Sequence, residues 1–270
     1  MTIKHIVLTG GGQIGLATMG VLTESFNKNI WKYEDIESIW GTSSGSMVSV
    51  ILCLNIDFET VNKYILERPW NFFTITPDKI INSIKNIGIF GRESYVEFFK
   101  PLFLSCDLTI DTTLKEFFEY SKKELYFITS DLKLFESVTI SHHNHPDLKV
   151  IDAIMMSSAF PLIIRPVKYN DTYYFDGGLF KNFPIDTCLD VTGCKPEEIL
   201  GIKKDSYYDQ TMNINTIFDY LLIFFLKLIF NCQIKSKYDN YINIYTGHEV
   251  CRTQIVEAIY LVFQRSGSLS

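Results

Sequence analysis

Residues 38–52 read SIWGTSSGSMVSVIL. Ser38-Ile39-Trp40 predicts a short strand, and Met47–Leu52 is apolar enough to predict a buried helix. Between them lies Gly41-Thr42-Ser43-Ser44-Gly45, the pattern G-x-S-x-G with Ser43 in the serine position. Strand, tight turn and helix in that order form the setting of a nucleophile elbow, which lifts a serine hydroxyl to the end of a sheet. Gly41 and Gly45 permit the tight turn. Five residues rich in Gly and Ser also describe an ordinary turn, so the pattern needs support from elsewhere in the chain.

Upstream, residues 5–20 read HIVLTGGGQIGLATMG. A buried strand over about Lys4–Leu8 runs into a glycine loop, and Leu16, Met19, Val21 and Leu22 then follow helical spacing. Gly10, Gly12 and Gly15 spell G-x-G-x-x-G, the fingerprint of a dinucleotide pyrophosphate loop. That reading requires a second strand ending in Asp or Glu to hold the ribose. Here Glu34, Asp35 and Glu37 precede the second strand, and what ends it is the Ser43 turn. A serine nucleophile gives the glycines another use. Attack on an ester creates an oxyanion, and successive backbone N–H groups of a glycine loop can converge on it.

A nucleophilic serine needs a base. No histidine stands in a strand-end motif, and His248 in TGHEV reads as a loop. The better candidate is Asp176 in YYFDGGLFKNFP, which follows the short aromatic strand Tyr173–Phe175 and precedes Gly177 and Gly178. A tight Asp-Gly turn is the plain alternative. An ordinary Asp, with a pKa of about 3.9, is a weak base near neutrality, so Asp176 would need desolvation or would act by orienting Ser43.

The remaining sequence frames these motifs. The 270 residues are 47% hydrophobic and 21% charged, with a net charge of −6, which suits one α/β domain and excludes a basic nucleic-acid face. Leu125–Thr129, Val138–Ser141 and Ile199–Lys203 predict further strands, and Lys149–Met156 predicts a helix followed by a loop over Ser157–Pro166. Residues 57–120 predict helices broken by Pro69, Pro77, Gly88, Gly91 and Pro101. In that region Phe72, Phe73, Phe90, Phe98 and Phe99 are expected in the core rather than in a lid. Alternating strands and helices imply a sheet covered on both faces. The six cysteines form no C-x-x-C pair and the chain enters its first strand at once, so reduced thiols and a cytoplasmic setting are expected. His142, His143 and His145 cluster in SHHNHPD, where the readings are a metal site or a polar loop leading to Pro146; the loop is expected, because no further Cys or carboxylate pattern completes a ligand set. Ile214–Phe230 is the most apolar stretch, but Asp219 and Lys227 interrupt it. It is read as a core helix, with an acyl-pocket or membrane-touching helix as the sharper alternative.

Taken together, a strand leading to GGG-x-x-G, then GTSSGS, then DGG-x-x-x-N-x-P resembles the patatin-like phospholipases. The stretches YFITSDLKLFESVTI (126–140) and AIMMSSAFPLIIRPVKYNDTYYFDGG (153–178) extend the resemblance, which runs in order from His5 to Pro184. The resemblance implies a three-layer α/β/α sandwich around a mostly parallel sheet, as one domain over 1–270 with a motif-bearing core over about 4–205 and a helical part over about 206–270. It implies lipid acyl-ester hydrolysis by a Ser43–Asp176 dyad without histidine, metal or cofactor. Phospholipid or lysophospholipid is the implied substrate, with transient contact to a membrane surface. Gly10, Gly11, Gly12, Gln13 and Gly15 would form the oxyanion loop, most directly through the N–H groups around Gly11, Gly12 and Gln13. An acyltransferase using the same acyl-enzyme and an inactive lipid-binding module are the alternatives. Thr9 and Ile14 depart from the family, which usually has an acidic residue before the glycines and a cation after them. The departure implies weaker head-group binding or oxyanion stabilisation.

Overall fold

Short runs of buried apolar residues supply the centre of the protein. In the computed structural model, which describes residues 2–204 other than Gln13 together with Tyr220, Phe224, Lys227 and Ile242–Ile244, β1 (His5–Leu8) and β2 (Ser38–Thr42) are buried along their whole length. Strands with no exposed face belong inside a parallel sheet covered on both sides. β3 (Glu124–Asp131) joins β2, and β7 (Ile199–Lys204) joins β1, all in parallel. β8 (Ile242–Ile244) extends the parallel part beyond β7. β4 (Glu136–Ile140) pairs antiparallel on the outer edge of β3, while β6 (Thr172–Asp176), with β5 (Val167–Tyr169) beyond it, pairs antiparallel to β3 past the end of β2, giving the order β5-β6-β3-β2-β1-β7-β8 with β4 on β3.

The helices cover both faces. Ile6, Leu8, Ile39 and Phe127 point into the larger core with α1 (Ile14–Asn27), α2 (Ser44–Cys53), α3 (Phe58–Glu67), α5 (Arg92–Leu104), α6 (Leu114–Ser121) and α7 (Val150–Ser158). Val7, Trp40 and Ile128 point the opposite way and pack with Ile185 and Cys188 of α8 (Ile185–Thr192). The expected mixed α/β sandwich is the observed architecture. α4 (Pro77–Asn86) is the outlying helix, capped by the Thr76 hydroxyl. Phe90, Phe98 and Phe99 are buried, with Phe72 and Phe73 packed against them, so the expected core reading holds.

Two boundaries differ from expectation. Pro101 lies inside α5 rather than breaking it. A proline there removes the helical hydrogen bond to the carbonyl four residues back. That carbonyl, of Glu97, accepts from Arg68 Nη2 at 3.2 Å, and the next, of Phe98, accepts from Tyr64 Oη at 2.6 Å. The orphaned acceptor is thus satisfied by Arg68, which follows α3. α7 also runs on to Ser158, which places Ser157 and Ser158 on a helix instead of a loop. Among the described residues, no helix is long and apolar enough to cross a membrane. Most of Ile214–Phe230, and His248, Cys232 and Cys251, lie outside the described residues.

One contact sets how closely α2 sits on the sheet. A Cβ at Gly45 would stand 2.6 Å from the Thr9 carbonyl oxygen and 2.7 Å from that of Leu8, both backbone atoms at the end of β1. Gly45→Ala is therefore expected to push α2 off β1 and destabilise the protein by about 1–3 kcal/mol. Urea midpoints of the two proteins measure this; an unchanged midpoint would show that the contact is not tight.

Candidate active site

β2 stops at Thr42 and α2 starts at Ser44, so Ser43 alone makes the turn, at φ 54° and ψ −122°. A non-glycine residue there carries strain of about 1–3 kcal/mol, and it persists only where its surroundings hold it. Ser43 N–H donates to Ser157 Oγ at 3.0 Å, and Ser157 Oγ donates in turn to the Ile128 carbonyl at 2.6 Å. The Ser43 carbonyl accepts from the Ser46 N–H at 2.9 Å and from Ser46 Oγ. Both ends of the strained residue are thereby anchored, one to β3 through α7 and one to the first turn of α2.

Asp176 arrives from the opposite direction. β2 occupies one edge of β3 as far as Thr42 opposite Ile128. β4 occupies the other edge over Phe127–Asp131. β6 therefore pairs along the β2 edge, antiparallel, with Asp176 opposite Thr129. The ends of β2 and β6 meet on consecutive residues of β3. Ser43 Oγ donates to Asp176 Oδ2 at 2.7 Å, and Asp176 Oδ1 accepts the Gly178 N–H at 2.7 Å. A side chain on Gly177 would collide with the Ile128 carbonyl, so glycine is required for the Asp176 loop to lie this close to β3. Ser130 Oγ donates to the Asp176 carbonyl at 3.0 Å.

Asp176 is 6% exposed. Burial pushes its carboxyl up to about 6, while the Ser43 hydroxyl and the Gly178 amide pull it back down. Desolvation has moved an ordinary carboxylate to within a unit of neutral pH, where it can exchange a proton with a serine hydroxyl.

The glycine loop lies over Ser43. A Cβ at Gly10 would stand 2.9 Å from Ser43 Cβ. Its amides, expected to face an oxyanion, are mostly engaged. Gly10 N–H donates to the Asn182 carbonyl at 3.2 Å, Gly11 N–H to Ser44 Oγ at 3.1 Å, and Gly15 N–H, in the first turn of α1, to the Gly12 carbonyl at 3.1 Å. Gly12, at φ 59°, donates to no group among the described residues. Gln13 lies outside the described residues. Thr9, where an acidic residue is usual, accepts from Asn182 Nδ2 at 3.2 Å, and Asn182 Nδ2 also reaches the Gly10 carbonyl at 3.2 Å. Thr9 and Asn182 thus tie the glycine loop to the Asp176 loop.

Ser43, Asp176, Gly10–Gly12, Gly41, Gly45, Gly177 and Gly178 all converge at this end of the sheet. Reasoning from sequence gave no role to Ser157, Ser130, Ser44 or Asn182. Ser157 and Asn182 do fall inside the 153–161 and 176–184 motif stretches, and that position was their only signal.

This is a mixed α/β protein with a serine elbow and a buried aspartate meeting beneath a glycine loop. A family model described as patatin-like phospholipase matches residues 6–189. The chain belongs to the patatin-like phospholipase family. It is 27% identical to a "Probable lipid hydrolase" of Invertebrate iridescent virus 6 over 69% of this chain and 63% of that one, so the match spans less than two thirds of that relative's length. It is 24% identical to an uncharacterized protein of Acanthamoeba polyphaga mimivirus, over 87% and 80% of the two chains. The fold is similar to that of VipD from Legionella pneumophila, with a TM-score of 0.56 at 15% identity, covering 100% of this chain and 67% of VipD.

The elbow strain has a measurable signature. Ser43→Ala keeps the strained backbone and Ser43→Gly releases it, so the glycine variant is expected to be the more stable of the two by about 1 kcal/mol after its larger unfolded-state entropy is counted. Thermal or urea unfolding of both variants gives the comparison, and an alanine variant of equal or greater stability would contradict the assigned strain.

Proposed function

We propose that the protein is a lipid acyl hydrolase of phospholipase A or lysophospholipase type, with Ser43 as nucleophile and Asp176 as its base. The observation that carries this reading is the 2.7 Å hydrogen bond from the Ser43 hydroxyl to a buried carboxylate. Family membership supplies the substrate class. As Ser43 Oγ attacks the ester carbonyl carbon, its proton passes to Asp176 Oδ2. The carbonyl oxygen becomes an oxyanion, with the Gly12 amide and, from the sequence, the Gln13 amide as its proposed donors; one such donor is worth about 3–4 kcal/mol. Collapse of the intermediate expels the alcohol, which takes the proton back from Asp176 and leaves an acyl-Ser43 ester. Water, deprotonated by the same carboxylate, then releases the fatty acid and restores Ser43. Every residue used lies within the core over about 4–205.

Ser43→Ala and Asp176→Asn, each verified as folded by circular dichroism, are expected to lose at least about 10²–10⁴-fold in kcat on a phospholipid and on a short chromogenic ester. Folded wild-type protein that releases no fatty acid from either would sink the proposal. Adding a lysolipid acceptor and identifying the products separates hydrolysis from acyl transfer. The base must be ionised to act, and its carboxyl sits at about 6. The rate is thus expected to climb with pH through about 6 and to level off above about 7. An acid limb near 4 would place the working base elsewhere.

The hairpin tip beside the site supports a lipid aggregate as the partner. Leu132, Leu134 and Phe135 are 53%, 64% and 59% exposed, an unusual apolar cluster for a turn. Asp131 Oδ1 fixes the tip by accepting from the N–H groups of Lys133 and Leu134 at 2.7 and 2.9 Å. Phe135 packs edge-on against Phe180, four residues after Asp176, at 5.1 Å. The apolar tip is therefore continuous with the Asp176 loop, and a bilayer touching it would present ester bonds to the dyad. Leu134→Asp is expected to lower the rate on phospholipid vesicles roughly tenfold, the worth of one inserted leucine side chain, and to leave short-ester hydrolysis unchanged. Equal rates on vesicles would remove this tip from lipid contact.

A further inference from the structure

At the other end of β3, the fold assembles a cluster that spacing along the chain does not show. Glu124 is the first residue of β3, and His142 and His143 follow the end of β4. Because β3 and β4 run antiparallel, the open end of their hairpin brings the three side chains together. Glu124 Oε2 lies 3.3 Å from His142 Nδ1 and 2.9 Å from His143 Nε2, and the three donor atoms are all within 4.8 Å of one another. We propose that Glu124, His142 and His143 form a binding site for a divalent transition-metal ion of the zinc type.

The distances suit such an ion. Bonds of about 2.0–2.1 Å to a tetrahedral centre set neighbouring donor atoms about 3.3–3.4 Å apart, so small shifts would seat it. Two imidazole nitrogens and one carboxylate oxygen select zinc or a similar metal over calcium or magnesium, which take oxygen donors. The competing occupant is a proton, carried by an imidazolium paired with Glu124. Two observations favour the metal. Glu124 Oε2 is buried without a well-directed hydrogen bond. One oxygen faces two imidazoles, and a single proton satisfies only one of them.

The surroundings hold the donors in place. Phe118 of α6 stacks on the His142 ring at 4.0 Å and 6°. Asn144 accepts from the Ser141 N–H at 2.8 Å and donates to the Thr139 carbonyl at 2.8 Å, fixing the turn that carries both histidines. Glu124 also lines a polar cleft of about 350 Å³ with Lys4, His5, Glu37 and the thiol-bearing Cys194, through which water could reach a fourth coordination position. Ser38 pairs with Glu124 and Thr42 with Ile128, so the cluster lies four residues, roughly 13 Å, along the sheet from the dyad. The ion would thus clip the open end of the β3–β4 hairpin and take no part in ester cleavage.

Titration calorimetry of zinc chloride into the intact protein tests this, with cobalt(II) absorption as a second reading. One ion per chain is expected, with a rise in melting temperature on adding zinc. Affinity should fall at least about tenfold in both Glu124→Gln and His143→Ala, and remain in Cys194→Ser. His143 is largely exposed, so its alanine variant is expected to fold even if the Glu124 variant does not. Cobalt bands without a thiolate charge-transfer feature agree with nitrogen and oxygen donors. Absence of saturable binding, binding unchanged in His143→Ala, or a thiolate band that disappears with Cys194→Ser would each overturn the proposal.

Discussion

Ile128 and Thr129 of β3 lie next to each other, and two strands running in opposite directions end against them on the same edge. This shared edge is the constraint on which the site depends. The ladder with β2 brings in Ser43, and the ladder with β6 brings in Asp176. Neither strand needs to bend toward the other. Ser157, bonded to both the Ser43 amide and the Ile128 carbonyl, carries the same alignment to α7. Hydrogen bonds of the sheet, rather than loop contacts, therefore set the distance between Ser43 and Asp176.

The same junction accounts for the electrostatics. Burying Asp176 raises its carboxyl from 3.8 to about 6, equivalent to roughly 3 kcal/mol against the ionised form. Because the folded value lies above the unfolded one, this carboxyl opposes folding increasingly as pH rises from about 4 to 6, and fully above that. Backbone strain at Ser43 acts in the same direction. Two unfavourable features therefore stand side by side at the C-terminal end of the parallel strands, held by the buried core of β1, β2, α2 and α7. A site that opposes the fold holding it is a common mark of function, since stability alone would select a glycine at 43 and an apolar residue at 176.

Much of this was legible in the sequence because close backbone approach leaves a visible residue type. Gly45 and Gly177 occur where a Cβ would strike another strand, and they flag the elbow and the Asp176 loop. The fully buried strands read as apolar runs for the same reason that they lie inside a covered sheet. Features created by tertiary pairing were not legible. Pro101 looks like a helix end until Arg68 is seen to satisfy the carbonyl it frees. The glycine loop looks like a row of free amides until Asn182 and Ser44 are seen to occupy two of them. Glu124 lies eighteen positions before His142 on the other arm of a hairpin, too far along the chain for the spacing of metal ligands to be recognised.

The β-ladder that aligns Ser43 with Asp176 permits only whole-residue steps. Moving β6 by one residue along β3 would displace Asp176 by about 3.3 Å and turn its side chain to the opposite face. The two-residue turn at Asn170-Asp171, which joins β5 to β6 with Asn170 at φ 52°, lies outside that pairing. Changes of chain length are therefore sorted by position. Residues added at 170–171 lengthen an edge hairpin and leave the register intact, whereas one added between Tyr174 and Gly177 erases the site at a stroke. This turn can therefore absorb a change in length that Tyr174–Asp176, the three residues laddered to β3, cannot.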